Sequence, residues 1–223
     1  MLIVIDGIDG SGKTVQFNLL VERLKKEGYD VETADFPQYG KKSAGPVEEY
    51  LTGAYGTPEE VGPYRASILF AVDRYAFSKA IKDWIASGKI VVSNRYVGSN
   101  MGHQGGKIAD HEERKKYFAW CDDLEFNIFG IPRPDINFFL HMPAEIGQKL
   151  VELKTERKYL EGGKKDIHED SLEHLKKAEQ TYLEIVDTFP NYIIIESTEG
   201  GEILSKEVIH EKIWKELMAK ITK

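Results

Sequence analysis

The chain has 223 residues, of which 41% are hydrophobic and 30% are charged, and its formal net charge is −7 at pH 7. This composition is typical of a globular protein rather than a disordered or membrane-spanning chain, and the length fits one α/β domain with a buried core. The negative net charge argues against nucleic acid as a partner, because the phosphate backbone would be repelled. Cys121 is the single cysteine, so no internal disulfide can form, and we expect a cytoplasmic protein that binds no membrane.

The first predicted element is a short β-strand over residues 2–6, which runs directly into the segment GIDGSGKT at residues 7–14. The spacing G-x-x-x-x-G-K-T is that of a phosphate-binding loop, whose glycines let successive N–H groups converge on a phosphate. A helix predicted from Lys13 to about residue 27 points its positive end at the same place. Lys13 is suited to the β- and γ-phosphates of a nucleoside triphosphate, and the Thr14 hydroxyl to a Mg²⁺ ion. The predicted cofactor-binding residues are Gly7, Gly10, Ser11, Gly12, Lys13 and Thr14.

Strands and helices alternate along the rest of the chain. The predicted strands are 30–36, 89–94, 135–141 and 192–196, and the predicted helices are 63–87, 110–126, 143–153, 170–188 and 202–221. Five β-rich runs separated by helices predict an α/β fold, a five-stranded parallel sheet with helices on both faces. We expect a single domain over residues 1–223, with a nucleotide-binding loop at 36–62 and a lid at about 154–170, because long irregular segments are often binding loops.

Polar and aromatic residues gather where a ligand site is expected. Arg95 follows the strand at 89–94, whose carboxyl end should lie near the phosphate loop. Phe70 and Arg74 lie four residues apart on one helix face. Gln104 lies in a glycine-rich segment, residues 102–106, that we expect to be a turn. His103 in the same segment could contact the edge of a base, but a histidine in a loop is usually solvated, and we expect that here.

The order of these elements resembles the thymidylate kinase family of P-loop nucleoside monophosphate kinases over roughly residues 1–200. The resemblance is carried by the phosphate loop from Asp6 to Thr14, Phe36-Pro37, Leu69-Phe70-x-x-x-Arg74, Asn94-Arg95-Tyr96, Gln104-Gly105-Gly106 and Pro134-Asp135. It implies ATP-dependent phosphorylation of dTMP to dTDP, with Mg²⁺ as the cofactor, ATP and dTMP as the partners, and a homodimer as the assembly.

The resemblance also implies roles for individual residues. Asp9 matches a carboxylate that contacts the deoxyribose 3′-hydroxyl, and Phe70 matches a ring on which thymine stacks. Arg74 matches an arginine that touches the nucleotide, Arg95 one that holds the monophosphate, and Gln104 falls beside the thymine. The implied substrate-binding residues are Asp9, Phe36, Pro37, Phe70, Arg74, Arg95 and Gln104, and the implied catalytic residues are Lys13, Arg95 and Arg157. Arginine forks suit this chemistry because phosphoryl transfer depends on positioning and on neutralising phosphate charge.

The chain departs from the family pattern at three places. Asn94 stands where the family has an aspartate near Mg²⁺, and an amide is a weaker ligand for a hard cation. After Phe-Pro the chain has Lys41 and Lys42 rather than an arginine, and either lysine could hold the acceptor phosphate as a point charge. The phosphate loop lacks an arginine that some members carry, so the resemblance is to members whose catalytic arginine lies in the lid, and Arg157 is expected to fill that role. The lid segment of the family can also be aligned over residues 166–169, which contain no lysine or arginine.

Two alternatives remain open. The altered loop at 37–45 and Asn94 are compatible with a kinase for another nucleotide or nucleoside. A non-catalytic nucleotide-binding protein could also keep the phosphate loop after losing metal chemistry at residue 94. From the sequence alone, Asn94→Asp is expected to leave activity unchanged or to raise it.

Overall fold

The computed structural model describes residues 1–159 and 172–221, without side chains for 154–159. As predicted, its centre is a parallel sheet of five strands in the order β2-β3-β1-β4-β5. The strands are β1 (Leu2–Asp6), β2 (Val31–Asp35), β3 (Ile90–Asn94), β4 (Ile136–His141) and β5 (Tyr192–Glu196). All residues of β1 and β3 are buried, which explains their continuous apolar sequences.

Helices cover both faces of this sheet. They are α1 (Lys13–Lys26), α2 (Gly45–Leu51), α3 (Pro58–Ala86), α4 (Val97–Gly105), α5 (His111–Asp122), α6 (Ala144–Tyr159), α7 (Leu172–Thr188) and α8 (Lys206–Ile221). Alternate residues of β1 point to opposite faces. Ile3 and Ile5 pack in a core with α1 and α8, whereas Leu2 and Val4 pack in a core with α3, α4, α5 and α7. No helix in the described part of the chain is long and apolar enough to cross a bilayer.

Two segments differ from the sequence-based expectation in ways that affect the site. The segment expected to be a loop at 36–62 contains a 3₁₀ turn at Lys42–Ala44, the whole of α2 and the start of α3. The first turn of α3, residues 58–61, is capped by Thr57 and Glu60 in a capping box. Gly62, with a φ of 73°, breaks the helix there, and the long part of α3 begins at Pro63 as predicted. The glycine-rich segment at 102–106 was expected to be a turn, but residues 102–105 form the last part of α4, which packs closely on α7 and leaves no room for larger residues at Gly102.

Two smaller differences follow. The predicted helix at 110–126 ends at Asp122, and a π-helical turn, Asp123–Ile128, follows it. Asp110 caps the helix as its sequence position suggests, since its side chain accepts a hydrogen bond from the Glu113 N–H. A two-stranded hairpin, β6 (Thr198–Glu199) with β7 (Glu202–Ile203), precedes α8.

Candidate functional site

The phosphate loop lies between β1 and α1, at the carboxyl edge of the sheet. Gly12 is the N-cap residue of α1 and has a φ of 86°. Gly10 has a φ of 82°, and a Cβ there would lie 2.1 Å from the carbonyl oxygen of Gly147 on α6. No side chain fits at this close approach of two backbones, so the glycine is required by packing as well as by conformation. The Ser11 hydroxyl is buried without a partner among the described residues, and Thr14 is exposed at the first turn of α1.

Lys13 folds back over this loop. Its Nζ donates to the Ile8 carbonyl oxygen at 2.6 Å and lies 3.6 Å from Asp9 Oδ1. Burial lowers the pKa of Lys13 to about 7; the charge of Arg95 adds to this effect, and Asp9 and Asp6 oppose it. A bound polyphosphate would favour the charged ammonium again, because nearby negative charge raises the pKa of a lysine.

A cavity of about 800 Å³, including its open mouth, lies beside the phosphate loop. All seven residues of the predicted substrate-binding set line it: Asp9, Phe36, Pro37, Phe70, Arg74, Arg95 and Gln104. Phe70 stands edge-on to Tyr50 of α2, with ring centroids 6.1 Å apart. The helix that replaces the expected loop thus supports the predicted stacking ring.

Arg95 links the phosphate loop to this cavity. It follows β3 with a φ of 64°, a left-handed conformation that is uncommon outside glycine and often found at functional sites. Its Nη2 pairs with Asp9 Oδ1, and its Nη1 lies 3.1 Å from His103 Nε2. Burial raises the pKa of Asp9, but the charges of Arg95 and Lys13 outweigh burial and hold that pKa well below its usual range. The guanidinium is therefore charged and aimed by its neighbours.

His103 was expected to be solvated, and this prediction is wrong. The imidazole lines the cavity, and its Nδ1 lies 3.3 Å from Nε2 of His174 on α7. Because arginine can only donate, Nε2 of His103 must accept the Arg95 hydrogen bond, which requires a neutral ring with its proton on Nδ1. Burial lowers the pKa of His103 well below its usual value, which agrees with the neutral form. The sequence held no signal for this contact, since His174 is 71 residues away.

Arg74 reaches the cavity while held from behind by a carboxylate. Its Nε and Nη2 donate to the two oxygens of Glu125 at 2.6 and 2.5 Å. Both side chains are buried, with 3% of Arg74 and none of Glu125 exposed. Burial lowers the pKa of Arg74, but the charge of Glu125 more than compensates. The third nitrogen, Nη1, makes neither of these bonds, so the guanidinium can still donate towards a ligand.

Asn100 was not singled out from the sequence, but it also lines the cavity. Its Nδ2 donates to the Ser67 carbonyl oxygen at 3.1 Å, and its Oδ1 is buried without a partner among the described residues. A buried acceptor without a partner costs free energy unless a ligand or water satisfies it. Its position four residues before Gln104 on α4 could have indicated a shared helix face.

Asn94 ends β3 directly beside Asp35, the last residue of β2. The Asn94 Nδ2 donates to Asp35 Oδ1 at 2.9 Å. Burial raises the pKa of Asp35, and this effect is partly offset by the hydrogen bond and by the charge of Arg95. Instead of an aspartate at residue 94, the chain therefore has an acid–amide pair that spans two neighbouring strands.

Hard oxygen ligands lie at the ends of β1 and β3. Asp6 Oδ1 accepts hydrogen bonds from Ser99 and Tyr182, both at 2.6 Å. Asp6 Oδ2 and Asn94 Oδ1 are buried without a partner in the described part of the chain. Among the described residues no three His, Cys, Asp or Glu side chains form a metal cluster. This donor set fits Mg²⁺ bound mainly through nucleotide phosphates, because Mg²⁺ commonly takes only one or two protein oxygens there.

Three further predicted residues are placed differently or not at all. Lys41 and Lys42 are exposed and do not line the cavity, so the expectation that they hold the acceptor phosphate gains no support. Their loop is instead held by Asp73, which accepts hydrogen bonds from the Gln38 N–H at 2.7 Å and the Ser43 hydroxyl at 2.6 Å. The side chain of Arg157 and most of the predicted lid lie outside the described residues.

The phosphate loop lies at the carboxyl edge of a parallel sheet, and one arginine joins it to a cavity lined by arginines. This arrangement defines a P-loop kinase with separate donor and acceptor sites. Known proteins narrow this class. The family model described as thymidylate kinase matches residues 5–213. The chain therefore belongs to the thymidylate kinase family.

Individual relatives agree with this assignment. A protein named probable thymidylate kinase from Thermococcus onnurineus is 32% identical over 221 residues, which cover 94% of this chain and 95% of the relative. The thymidylate kinase of Mycobacterium tuberculosis is 29% identical over 83% of this chain and 85% of the relative. The solved thymidylate kinase from Candida albicans has the same fold, with a TM-score of 0.72 at 24% identity over 98% of this chain and 91% of that chain.

Proposed function

We propose that this chain transfers the γ-phosphoryl group of ATP to dTMP and produces dTDP. The observation that carries the proposal is that Arg95 and Asp9 belong to both halves of the site, since they contact each other beside Lys13 and also line the acceptor cavity. An acceptor monophosphate held by Arg95 would therefore lie next to the γ-phosphate on the loop, as in-line phosphoryl transfer requires.

The polar groups of the cavity match the hydrogen-bonding edge of thymine. Asn100 offers an acceptor, because its donor end is bound to the Ser67 carbonyl. Arg74 can only donate. Gln104 has its oxygen engaged by Lys107 at 2.8 Å, so it also offers a donor. One acceptor and two donors match the groups of an imide, which has one ring N–H and two carbonyl oxygens.

The residues of the phosphate loop would stabilise the transferring group. Lys13 and the N–H groups of residues 10–12 would bind the phosphate oxygens on which negative charge develops. Thr14, with oxygens of Asp6 and Asn94, would hold Mg²⁺. When bound with ATP, this ion supplies charge neutralisation across the phosphate oxygens. Arg157 remains our candidate for an additional cation at the transition state.

The proposal includes a homodimer formed through α3. Tyr64, Ile68, Val72 and Tyr75 lie three or four residues apart on this helix, and each is at least 40% exposed. Such an apolar stripe on one helix face is typical of a protein–protein contact. Ile68→Glu should convert the dimer into a monomer in sedimentation velocity. Val208→Glu, a change at an equally exposed apolar residue of α8, should leave the sedimentation coefficient unchanged, and a dimeric Ile68→Glu variant would contradict this interface.

The function is tested by ADP release measured with a panel of nucleoside monophosphates and nucleosides. We expect turnover with dTMP at the highest kcat/KM. Preferred turnover of another acceptor would favour the alternative kinase activity. ATP binding without turnover of any acceptor would instead indicate a non-catalytic nucleotide-binding protein.

A further inference from the structure

Gln104 lines the cavity, and one end of its side-chain amide is already hydrogen-bonded within the protein. It is only 3% exposed, and its Oε1 accepts a hydrogen bond from Lys107 Nζ at 2.8 Å. An ammonium group has three donors and no acceptor, so it can bind only the oxygen end of an amide. The group that Gln104 offers to a ligand is therefore the donor Nε2.

Lys107 is itself held in place by α2. Its Nζ also donates to the Tyr50 hydroxyl at 2.8 Å and lies 5.6 Å from the centroid of that ring. Tyr50 is fully buried. Burial lowers the pKa of Lys107 to about 8, and the charge of Glu59 opposes this effect. A lysine between two buried partners keeps a defined position, so the orientation of the Gln104 amide is defined as well.

Asn100, one helical turn away on α4, is oriented with the opposite polarity. A backbone carbonyl can only accept, and the Ser67 carbonyl therefore binds the Nδ2 end of Asn100. One face of α4 thus offers an acceptor from Asn100 and a donor from Gln104. Cytosine has an amino group where thymine has a carbonyl, and an unprotonated ring nitrogen where thymine has an N–H. A bound cytosine would therefore place a donor against the donor of Gln104 and an acceptor against the acceptor of Asn100. Such mismatches are costly because buried polar atoms lose their partners.

We propose that Lys107 is a specificity-determining residue of the acceptor site. By holding the oxygen of Gln104, it presents the Nε2 donor to a base carbonyl and disfavours a base that has an amino group there. Lys107 acts through Gln104 and is a positioning residue. The inference rests on the proposed function only in taking a pyrimidine nucleoside monophosphate as the acceptor.

The experiment is calorimetric titration of the full chain with dTMP and with dCMP, followed by kcat and KM for both. The readout is the ratio of the two dissociation constants. Lys107→Met removes the donor and lets the amide turn, so the preference for dTMP should fall roughly tenfold, the worth of about one hydrogen bond. Lys107→Glu can only accept, so it should bind Nε2, turn Oε1 to the base and reduce the preference further.

Lys107→Arg keeps a donor-only group, and its preference for dTMP should stay within about twofold of the wild-type value. Lys116→Met, a change at an exposed lysine of α5, is the matched control and should have no effect. Thermal unfolding of each variant verifies that it is folded.

An unchanged ratio in folded Lys107→Met and Lys107→Glu would overturn the proposal. So would a loss in Lys107→Arg as large as that in Lys107→Met, or a wild-type protein that binds dCMP as tightly as dTMP. Absence of wild-type turnover with dTMP would refute the kinase assignment alone, because the binding ratio could still be measured.

Discussion

The phosphate loop and the acceptor cavity lie side by side but are built in opposite ways. The loop is one continuous segment, residues 7–14, and it relies on backbone conformation and a single lysine. The cavity draws its side chains from the phosphate loop, the ends of β2 and β3, and α2, α3, α4 and α7. Its polar groups are oriented by partners that lie behind them, such as Glu125 behind Arg74 and Lys107 behind Gln104.

This difference separates general binding from selectivity. A loop of backbone donors binds any polyphosphate, and its chemistry depends on charge. The cavity selects among nucleotides that could accept the phosphoryl group. It does so because each of its amide and guanidinium groups presents either a hydrogen-bond donor or a hydrogen-bond acceptor to the base. Changes to the loop should therefore abolish the reaction, whereas changes to the supporting partners should alter stability and acceptor preference first.

The largest effect is expected for Lys13→Ala. The variant removes the cation nearest to the transferring phosphoryl group, and kcat should fall by about 10²–10³-fold or more. Because Lys13 lies in the loop rather than in the cavity, binding of dTMP measured by calorimetry should change little. A kcat near the wild-type value would contradict the assignment of Lys13, and a collapse of dTMP binding would contradict the separation of the two regions.

Glu125→Gln tests the support behind the cavity. The change leaves the buried Arg74 guanidinium without its counter-charge, and the free energy of unfolding should fall by about 3–5 kcal/mol. Urea unfolding measures this loss, and the KM for dTMP should rise in the folded enzyme. Glu113→Gln is the control, since its ion pair with Lys116 is exposed and worth at most about 1 kcal/mol. Equal losses in the two variants would show that the buried pair has no special role.

Asn94→Asp should have the smallest effect of the three substitutions. From the sequence this change was expected to leave activity unchanged or to raise it, and the structure leads to a different expectation. A carboxylate at residue 94 would face Asp35, whose Oδ1 now lies 2.9 Å from Asn94 Nδ2. Two carboxylates at this separation repel each other and destabilise the fold, and we expect reduced rather than raised activity.

The pH dependence of this variant follows from the same contact. The like-charge pair would raise the pKa of one carboxyl group in the folded state above its unfolded value. The destabilisation should therefore be present at neutral pH and shrink as the pH falls and the pair takes up a proton. Adding Asp35→Asn to Asn94→Asp should restore stability at neutral pH. A single variant more stable than wild type at pH 7 would contradict the acid–amide pair.

The sequence predicted those parts of the site whose geometry is local. The phosphate loop follows from a strand, a glycine pattern and a helix that are contiguous. Phe70 and Arg74 share a face because helical spacing requires it. Arg95 could be placed because the carboxyl ends of parallel strands meet at one edge.

The sequence could not predict contacts between distant segments. Arg74 lies 51 residues from Glu125, and Asp35 lies 59 residues from Asn94. The same limit explains why His103 was expected to be solvated and why the helix α2 behind Phe70 was taken for a loop. Resemblance to a family identified seven residues that face the cavity but not the partners that orient them.

Local backbone geometry is specified by neighbouring residues, so the sequence by itself determined the fold class, the phosphate loop and half of the residues that line the cavity. The direction in which each polar side chain donates or accepts depends on which atoms pack behind it. Those atoms come together only when the sheet and helices assemble, and for that reason the tertiary structure alone decided the polarity of the acceptor site.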